Sequence, residues 1–289
     1  MKRLLTVLLM MALCACQSEE IKKVDTSKIN TLSYELKEKF AFDVHSNGYL
    51  LVRLSDFEVL YGENEDLEIF PASLTKVATL DTVLNYAENL DDLSSVSSEQ
   101  VYDLIAEDAS LAYIMADHDY TIRDLLYALV LPSGADAAVA LENYFEENGM
   151  DLVDKMNEHL QEIGCDKTHF VNTTGLHDDD HHTCLNDLLK IVLDVLRFEE
   201  GRKILECFEY ELEDGNVVHS SLSLLSRGNV EALGGKTGFT DESGQSVMVF
   251  YRKDNRSYVL MLCNAMGSPY DGEYWHLEDA LHVFYELYD

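Results

Sequence analysis

The sequence predicts a mixed α/β (α+β) fold, with an antiparallel central sheet built from N- and C-terminal strands and flanked by helices. Three observations carry this. Short runs rich in β-branched and aromatic residues lie near the start and in the last third. Helical periodicity fills the stretch between them, and an amphipathic helix closes the chain. Strands at both ends with helices between share one sheet only if the ends meet, and helices then cover both of its faces.

The elements follow in order. Residues 1–16 read as a lipoprotein signal peptide. Lys2 and Arg3 open it, residues 4–13 are apolar but too short to span a bilayer, and Leu13-Cys14-Ala15-Cys16 resembles a bacterial lipobox. Cys16 is the expected lipid-attachment residue; an ordinary secretory signal cut nearby is the alternative. Residues 17–28 would form a polar tether, and residues 29–289 one catalytic domain, since no composition break or internal repeat divides them. Ile29, Leu32, Leu36 and Phe40 suggest a helix over 27–39. Strands at 49–54 and 57–61 form a hairpin about Ser55-Asp56. Helices are expected over 72–89 (opened by Pro71), 97–116, 121–130, 135–148 (closed by Gly149), 152–163 and 185–198. Between the last two lies an irregular loop, 172–182, rich in Asp and His. Short strands are expected near 207–212 and 217–219, longer ones around 232–236, 246–251 and 258–264, and the closing helix over 273–287.

The formal charge is −33 and becomes −35 if cleavage removes Lys2 and Arg3. Such a surface repels phosphate backbones, which excludes nucleic-acid binding. Cys165, Cys184, Cys207 and Cys263 match no metal knuckle and no CxxC pair. Export would permit disulfides; buried free thiols fit equally well. The His177–His182 run invites a metal reading, but consecutive residues cannot all face one ion, so a solvated acidic loop near the cleft is expected and no metal or cofactor.

Three short motifs carry the chemistry. In Ser73-Leu74-Thr75-Lys76 the spacing puts serine and lysine on one helix face, near its N-terminus. A serine hydroxyl needs a neighbouring base, and a lysine serves once burial lowers its pKa. Ser133-Gly134-Ala135-Asp136 is the second motif. The third, Lys236-Thr237-Gly238 after Gly234-Gly235, offers a cation and a hydroxyl to a carboxylate on a strand that the small Gly238 lets a substrate approach. Order and spacing together are more specific than any one piece.

From about Gly48 onward the chain resembles the D-alanyl-D-alanine carboxypeptidases, low-molecular-weight penicillin-binding proteins related to the serine β-lactamases. Pro71-Ala72-Ser73-Leu74-Thr75-Lys76 is similar to that family's nucleophile segment, and Leu131-Pro132-Ser133-Gly134-Ala135-Asp136 to its second motif. Asn172-Thr173-Thr174-Gly175-Leu176-His177 resembles its interhelix loop, and Gly235-Lys236-Thr237-Gly238-Phe239-Thr240 its third motif. The resemblance implies a β-lactamase/transpeptidase-like fold and a serine-type carboxypeptidase that removes the terminal D-alanine of peptidoglycan stem peptides. Ser73 would be acylated, Lys76 would take its proton, and Ser133 would relay a proton to the leaving amine. The backbone N–H groups of Ser73 and Phe239 would form the oxyanion hole. Lys236, Thr237, Gly238 and Thr240 would bind substrate, with Lys236 and Thr237 also supporting Ser133. β-Lactams would acylate the enzyme, which would sit lipid-anchored on the outer face of the cytoplasmic membrane.

Two departures stand out. The family's second motif carries Asn where this chain has Ala135, and no Lys or Arg follows Arg256 to grip a carboxylate, a task left to Lys236, Thr237 and His276. The lipid on Cys16 would replace the C-terminal anchor helix of relatives. A β-lactamase-like hydrolase is the alternative enzyme, although the 172–182 loop holds aspartates and no glutamate for deacylation. A penicillin-binding-fold lipoprotein with reduced or lost turnover is the other alternative.

Overall fold

In strand β1 (Gly48–Arg53) successive side chains alternate between two cores: Leu50 and Val52 join one, Leu51 the other, and all three are fully buried. A strand buried on both faces belongs inside a sheet covered twice. The computed structural model, which describes residues 38–222, 225 and 231–288, shows that arrangement. Cys16, the tether and residues 27–37 of the first expected helix lie outside the described residues. Glu38 and Lys39 are not helical; Glu38 bridges Tyr61 instead.

β1 pairs with β2 (Glu58–Glu63) as a hairpin and, on its other edge, with β9 (Arg256–Ala265) from the far end of the chain. β8 (Gly244–Lys253) and β7 (Glu231–Thr240) complete an antiparallel sheet of order β2-β1-β9-β8-β7. The closing helix α8 (Trp275–Tyr288) packs Leu277, Ala280, Val283 and Phe284 on one face against Leu51, Val249 and Leu260.

The other face carries the helical layer: α1 (Thr75–Tyr86), α2 (Ser98–Ala106), α3 (Ile122–Val130), α4 (Ala135–Glu147), α5 (Leu152–Glu162), α6 (Leu185–Val195) and α7 (Glu199–Leu205). α1 is the innermost of them. Every residue from Thr75 to Val83 is buried, so even its polar side chains must find partners inside the protein. Ser97 caps α2 through a reciprocal bond with Gln100, and Thr121 and Asp151 cap α3 and α5. Two-residue strands β3 (Leu93–Ser94) and β4 (Tyr120–Thr121) pair beside α3. A small hairpin of β5 (Glu209–Glu211) and β6 (Val217–His219) follows α7.

The expected helix over 97–116 stops at Ala106. Beyond it Asp108 and Tyr113 adopt left-handed backbone, and the N–H groups of Ala112 and Ile114 donate to the buried Asp136 carboxylate at 2.8 and 3.2 Å. Backbone donors satisfied by a distant side chain no longer need a helix. The helix expected over 185–198 ends at Val195, and α7 follows as a separate element. Cys165, Cys184 and Cys263 are buried free thiols, and Cys207 is free and half-buried.

Candidate active site

Ser73 sits in a 3₁₀ turn, Ala72–Leu74, that leads directly into α1. Ala72 holds a left-handed φ of +47°, strained for a residue with a side chain. Its carbonyl is held by the Thr75 hydroxyl, which donates to it at 2.8 Å. Thr75 in turn lies 2.7 Å from His181 Nε2, and the Val171 N–H donates to His181 Nδ1 at 3.1 Å, so Nε2 carries the proton and donates to Thr75. Burial, against the opposing Asp178 carboxylate, pushes His181 down to about 4 and keeps it neutral. The loop containing Asn172 presses on the same turn. Gly175, at φ +82°, lies so close that a Cβ there would stand 1.9 Å from the Ala72 carbonyl oxygen. No other residue fits this position.

Lys76, one turn into the structure from Ser73, is 2% exposed, and its Nζ donates to Ser73 Oγ at 3.2 Å and to the Thr174 carbonyl at 2.5 Å. Burial brings its pKa to about 7, with the Asp136 carboxylate opposing the fall. A large fraction of Lys76 is therefore an uncharged amine at neutral pH, beside the one hydroxyl it could deprotonate.

Ser133 follows α3 with a left-handed φ of +68°. Its Oγ is buried and has no hydrogen-bond partner among the described residues. Ala135 opens α4 and lines the cleft, and Asp136 behind it anchors the 107–116 loop that forms one wall. On the opposite wall β7 runs against the nucleophile turn. A Cβ on Gly238 would stand 2.9 Å from the Pro71 carbonyl oxygen and 3.3 Å from the Ser73 nitrogen. The next residue, Phe239, faces the cleft together with Thr240. The Thr240 hydroxyl accepts the Ser243 N–H at 3.1 Å.

Lys236 is fully buried. Burial and the nearby Lys76 ammonium both push it well below an ordinary lysine, and its Nζ donates to the Thr237 carbonyl at 2.8 Å. The Thr237 hydroxyl donates to Ser221 Oγ at 2.7 Å. Among the described residues neither group bonds Ser133, contrary to the expected support; the Thr237 hydroxyl bonds Ser221 instead. His276 is not available for a substrate carboxylate: it is buried in α8, with Nδ1 2.5 Å from Gln245 Oε1.

These walls enclose a cleft of about 750 Å³. Ser73, Lys76, Phe239 and Thr240 line it directly, whereas Ser133, Lys236 and Gly238 are buried behind its surface. Its rim is acidic, with Glu107, Asp108, Asp178, Asp241 and Glu242. His177 and Asp178 lie at the cleft, while His181 turns inward, so the His-rich run serves two separate purposes. Sequence reading missed Ser221, which lies in a serine-rich stretch with no distinguishing neighbour. It also missed the positioning of the nucleophile turn by His181, for which the preceding Asn-Thr-Thr-Gly segment was the available signal.

The family model for D-alanyl-D-alanine carboxypeptidases, peptidase S11, matches residues 34–267. D-alanyl-D-alanine carboxypeptidase DacF of Bacillus subtilis is 25% identical over 274 residues, covering 92% of this chain and 67% of its own length. Two further curated carboxypeptidases, from Haemophilus influenzae and a Streptomyces species, are spanned over only 56% and 54% of theirs. The Streptomyces K15 DD-transpeptidase crystal structure superposes with a TM-score of 0.75 at 23% identity, covering 86% of this chain and 97% of that one. Penicillin-binding protein D2 of Listeria monocytogenes, in its ampicillin-bound form, gives 0.69 at 22%, covering 85% and 98%. The mixed fold with its antiparallel sheet between helical layers is thus the one the sequence suggested, and the chain belongs to the peptidase S11 family of D-alanyl-D-alanine carboxypeptidases.

Proposed function

We propose that this chain is a serine-type D-Ala-D-Ala carboxypeptidase that removes the terminal D-alanine from peptidoglycan stem peptides. The observation that carries the reading is the 3.2 Å approach of the buried Lys76 amine, brought down to about 7 by burial, to Ser73 Oγ. Lys76 takes the serine proton as Oγ attacks the penultimate D-alanine carbonyl. We assign the Ser73 and Phe239 N–H groups, from residues that both line the cleft, to the developing oxyanion, where fixed donors stabilise the transition state more than the ground state. Collapse breaks the peptide bond and expels D-alanine, its nitrogen protonated through Ser133, whose unpartnered hydroxyl is free for that exchange. Water then cleaves the Ser73 ester. Thr237 on β7, bonded to Ser221 and with Lys236 buried beside it, would meet the substrate carboxylate.

β-Lactams present an acylating carbonyl to the same serine, and the ampicillin-bound relative supports that use of the fold. Among the described residues no helix is long and apolar enough to cross a membrane. Attachment through a diacyl group on Cys16 to the outer face of the cytoplasmic membrane is the anchoring we propose. Metabolic labelling with a fatty acid, lost in Cys16→Ser, tests it.

A second reading is a penicillin-binding-fold lipoprotein with reduced turnover. Ala135, at the place of the family's motif asparagine, favours it. Intact-protein mass spectrometry after benzylpenicillin exposure, paired with D-alanine release from an acyl-L-Lys-D-Ala-D-Ala peptide, separates the two. The carboxypeptidase gives an adduct mapping to Ser73 and D-alanine release, both lost in Ser73→Ala. An adduct without release leaves the second reading, and no adduct removes both.

A further inference from the structure

Three buried residues outside the cleft bring their metal-binding atoms to one point: Asp81 on α1, His159 on α5 and Asp194 on α6, each offering one atom within 4.8 Å of the others. Asp81 and Asp194 are 1% exposed and His159 is 5% exposed. His159 Nε2 lies 3.2 Å from Asp81 Oδ2 and 3.3 Å from Asp194 Oδ2. Asp81 Oδ2 is fully buried and makes no hydrogen bond. The Asn85 amide closes a fourth side, with Nδ2 at 3.2 Å from both Asp81 Oδ1 and Asp194 Oδ2 and 3.3 Å from His159 Nε2.

The protons do not suffice for these lone pairs. The two Asn85 amino hydrogens are taken by the Asp81 carbonyl at 2.9 Å and Asp81 Oδ1 at 3.2 Å; a neutral ring with its proton on Nδ1 then turns the Nε2 lone pair toward two carboxylate oxygens with nothing between them. Turning the amide would relieve the ring but set its oxygen against the Asp81 carbonyl and both carboxylates. A cation at the centre satisfies all of them. Bonds of about 2.0–2.1 Å at tetrahedral angles separate ligand atoms by about 3.3 Å, which is the spacing found on both sides of Nε2. On the outer side of the ring the exposed Glu162 Oε2 lies 3.9 Å from Nδ1, beyond hydrogen-bond distance, so that nitrogen is left to solvent. Arg197 fixes the far oxygen of Asp194 at 2.6 Å and leaves Oδ2 aimed inward.

We propose that Asp81, His159 and Asp194 bind one divalent transition-metal ion, with zinc best matched to the spacing and donor set, tying together the three helices behind the nucleophile turn. The imidazole and two carboxylates suit zinc or manganese better than calcium, which demands six or more oxygens. The competing arrangement, a bare imidazolium clamped between the carboxylates, requires no metal, and this decides the experiment.

The full chain, stripped with a chelator, is titrated with Zn²⁺ and followed by thermal unfolding and metal analysis. The site predicts about one zinc per chain and a rise in Tm of about 5 °C or more. Both are lost in His159→Gln and in Asp194→Asn. Co²⁺ in place of zinc should give the intense visible absorption of tetrahedral coordination. X-ray absorption at the zinc edge on the unmutated chain should show one imidazole among nitrogen and oxygen ligands, a readout that holds even if both variants fail to fold. An unmoved Tm with less than about 0.1 equivalent of zinc overturns the proposal. So does a spectrum with two or more imidazoles, which would place the ion on the exposed His177 and His182 loop.

Discussion

At the N-terminal end of α1 the buried Lys76 stands beside Ser73, its nearest carboxylate, Asp136, occupied by backbone N–H groups. About one and a half turns along the same helix, Asp81 meets His159 and, through Asn85, Asp194, which Arg197 bonds. One end handles a buried ionisable group by leaving it short of partners, so that its charge is given up. The other sets one imidazole against two carboxylates: the carboxylates hold the charge on His159, while burial pushes Asp81 up to about 7. Catalysis needs the first arrangement, because a lysine with a full ion pair would stay protonated. In the second arrangement, removing one member strands a buried charge, which costs more than the assembled network itself contributes.

This contrast breaks most sharply at Lys76. Lys76→Met keeps the volume and removes the amine, and should cut D-alanine release about 10³–10⁴-fold. It should also leave Tm unchanged or raised, since an apolar side chain carries no desolvation cost. A stopped enzyme with a lowered Tm would mean that Lys76 is structural and that the two ends of α1 are alike. The converse change is Asp194→Ala, which leaves His159 and Arg197 without their shared partner. It should lower unfolding free energy by about 3–5 kcal/mol in denaturant titration. A loss under about 1 kcal/mol would show the network to be no stronger than a surface ion pair.

Ala135 sharpens the comparison from the substrate side. It lines the cleft while being only 1% exposed, so an unchanged Tm must first show that the longer amide is accommodated. A hydrogen bond to a charged or polarised group contributes about 1.5–3 kcal/mol, so Ala135→Asn should speed acylation roughly 10–100-fold. Single-turnover acylation by a chromogenic β-lactam measures it, and a slower variant would mean that another group already fills this role.

How much of this was legible beforehand follows the range of the interactions. The pairing of Ser73 with Lys76 is local, set by one helical turn, and so was readable from spacing. The two-ended sheet was readable because apolar alternation is itself a statement about burial. The end of α2 at Ala106 was not, because the 107–116 segment has helical composition. What removes it from the helix is Asp136, some two dozen residues away, taking its N–H groups. The same holds for Ser221 behind Thr237, and for Asp81, His159 and Asp194, whose convergence depends on how three helices pack. Polar residues at isolated core-facing positions read as exceptions to a pattern until the fold supplies their partners.

The smallest effect tests both ends of α1 at once, through pH, on metal-free protein. Lys76 has a folded pKa of about 7 against an ordinary 10.5, so the unfolded chain binds more protons there and stability rises with pH from about 7 toward 10.5. His159 runs the other way. Burial opposes its charge, but Asp194 and Asp81 outweigh burial and draw it from 6.5 to about 9. Its contribution is complete below 6.5 and is lost as pH rises through 9. Between pH 7 and 9 the His159 slope opposes those of Lys76 and of Lys236, which is also held well below an ordinary lysine, so the Tm of the unmutated chain should rise across that window. Lys76→Met removes one of the two rising components, so its Tm profile should flatten across that window, while His159→Gln removes the falling one and should rise more steeply. Parallel profiles for all three proteins would mean that neither group titrates in this range, and the contrast between the two ends would have to be rebuilt on geometry alone.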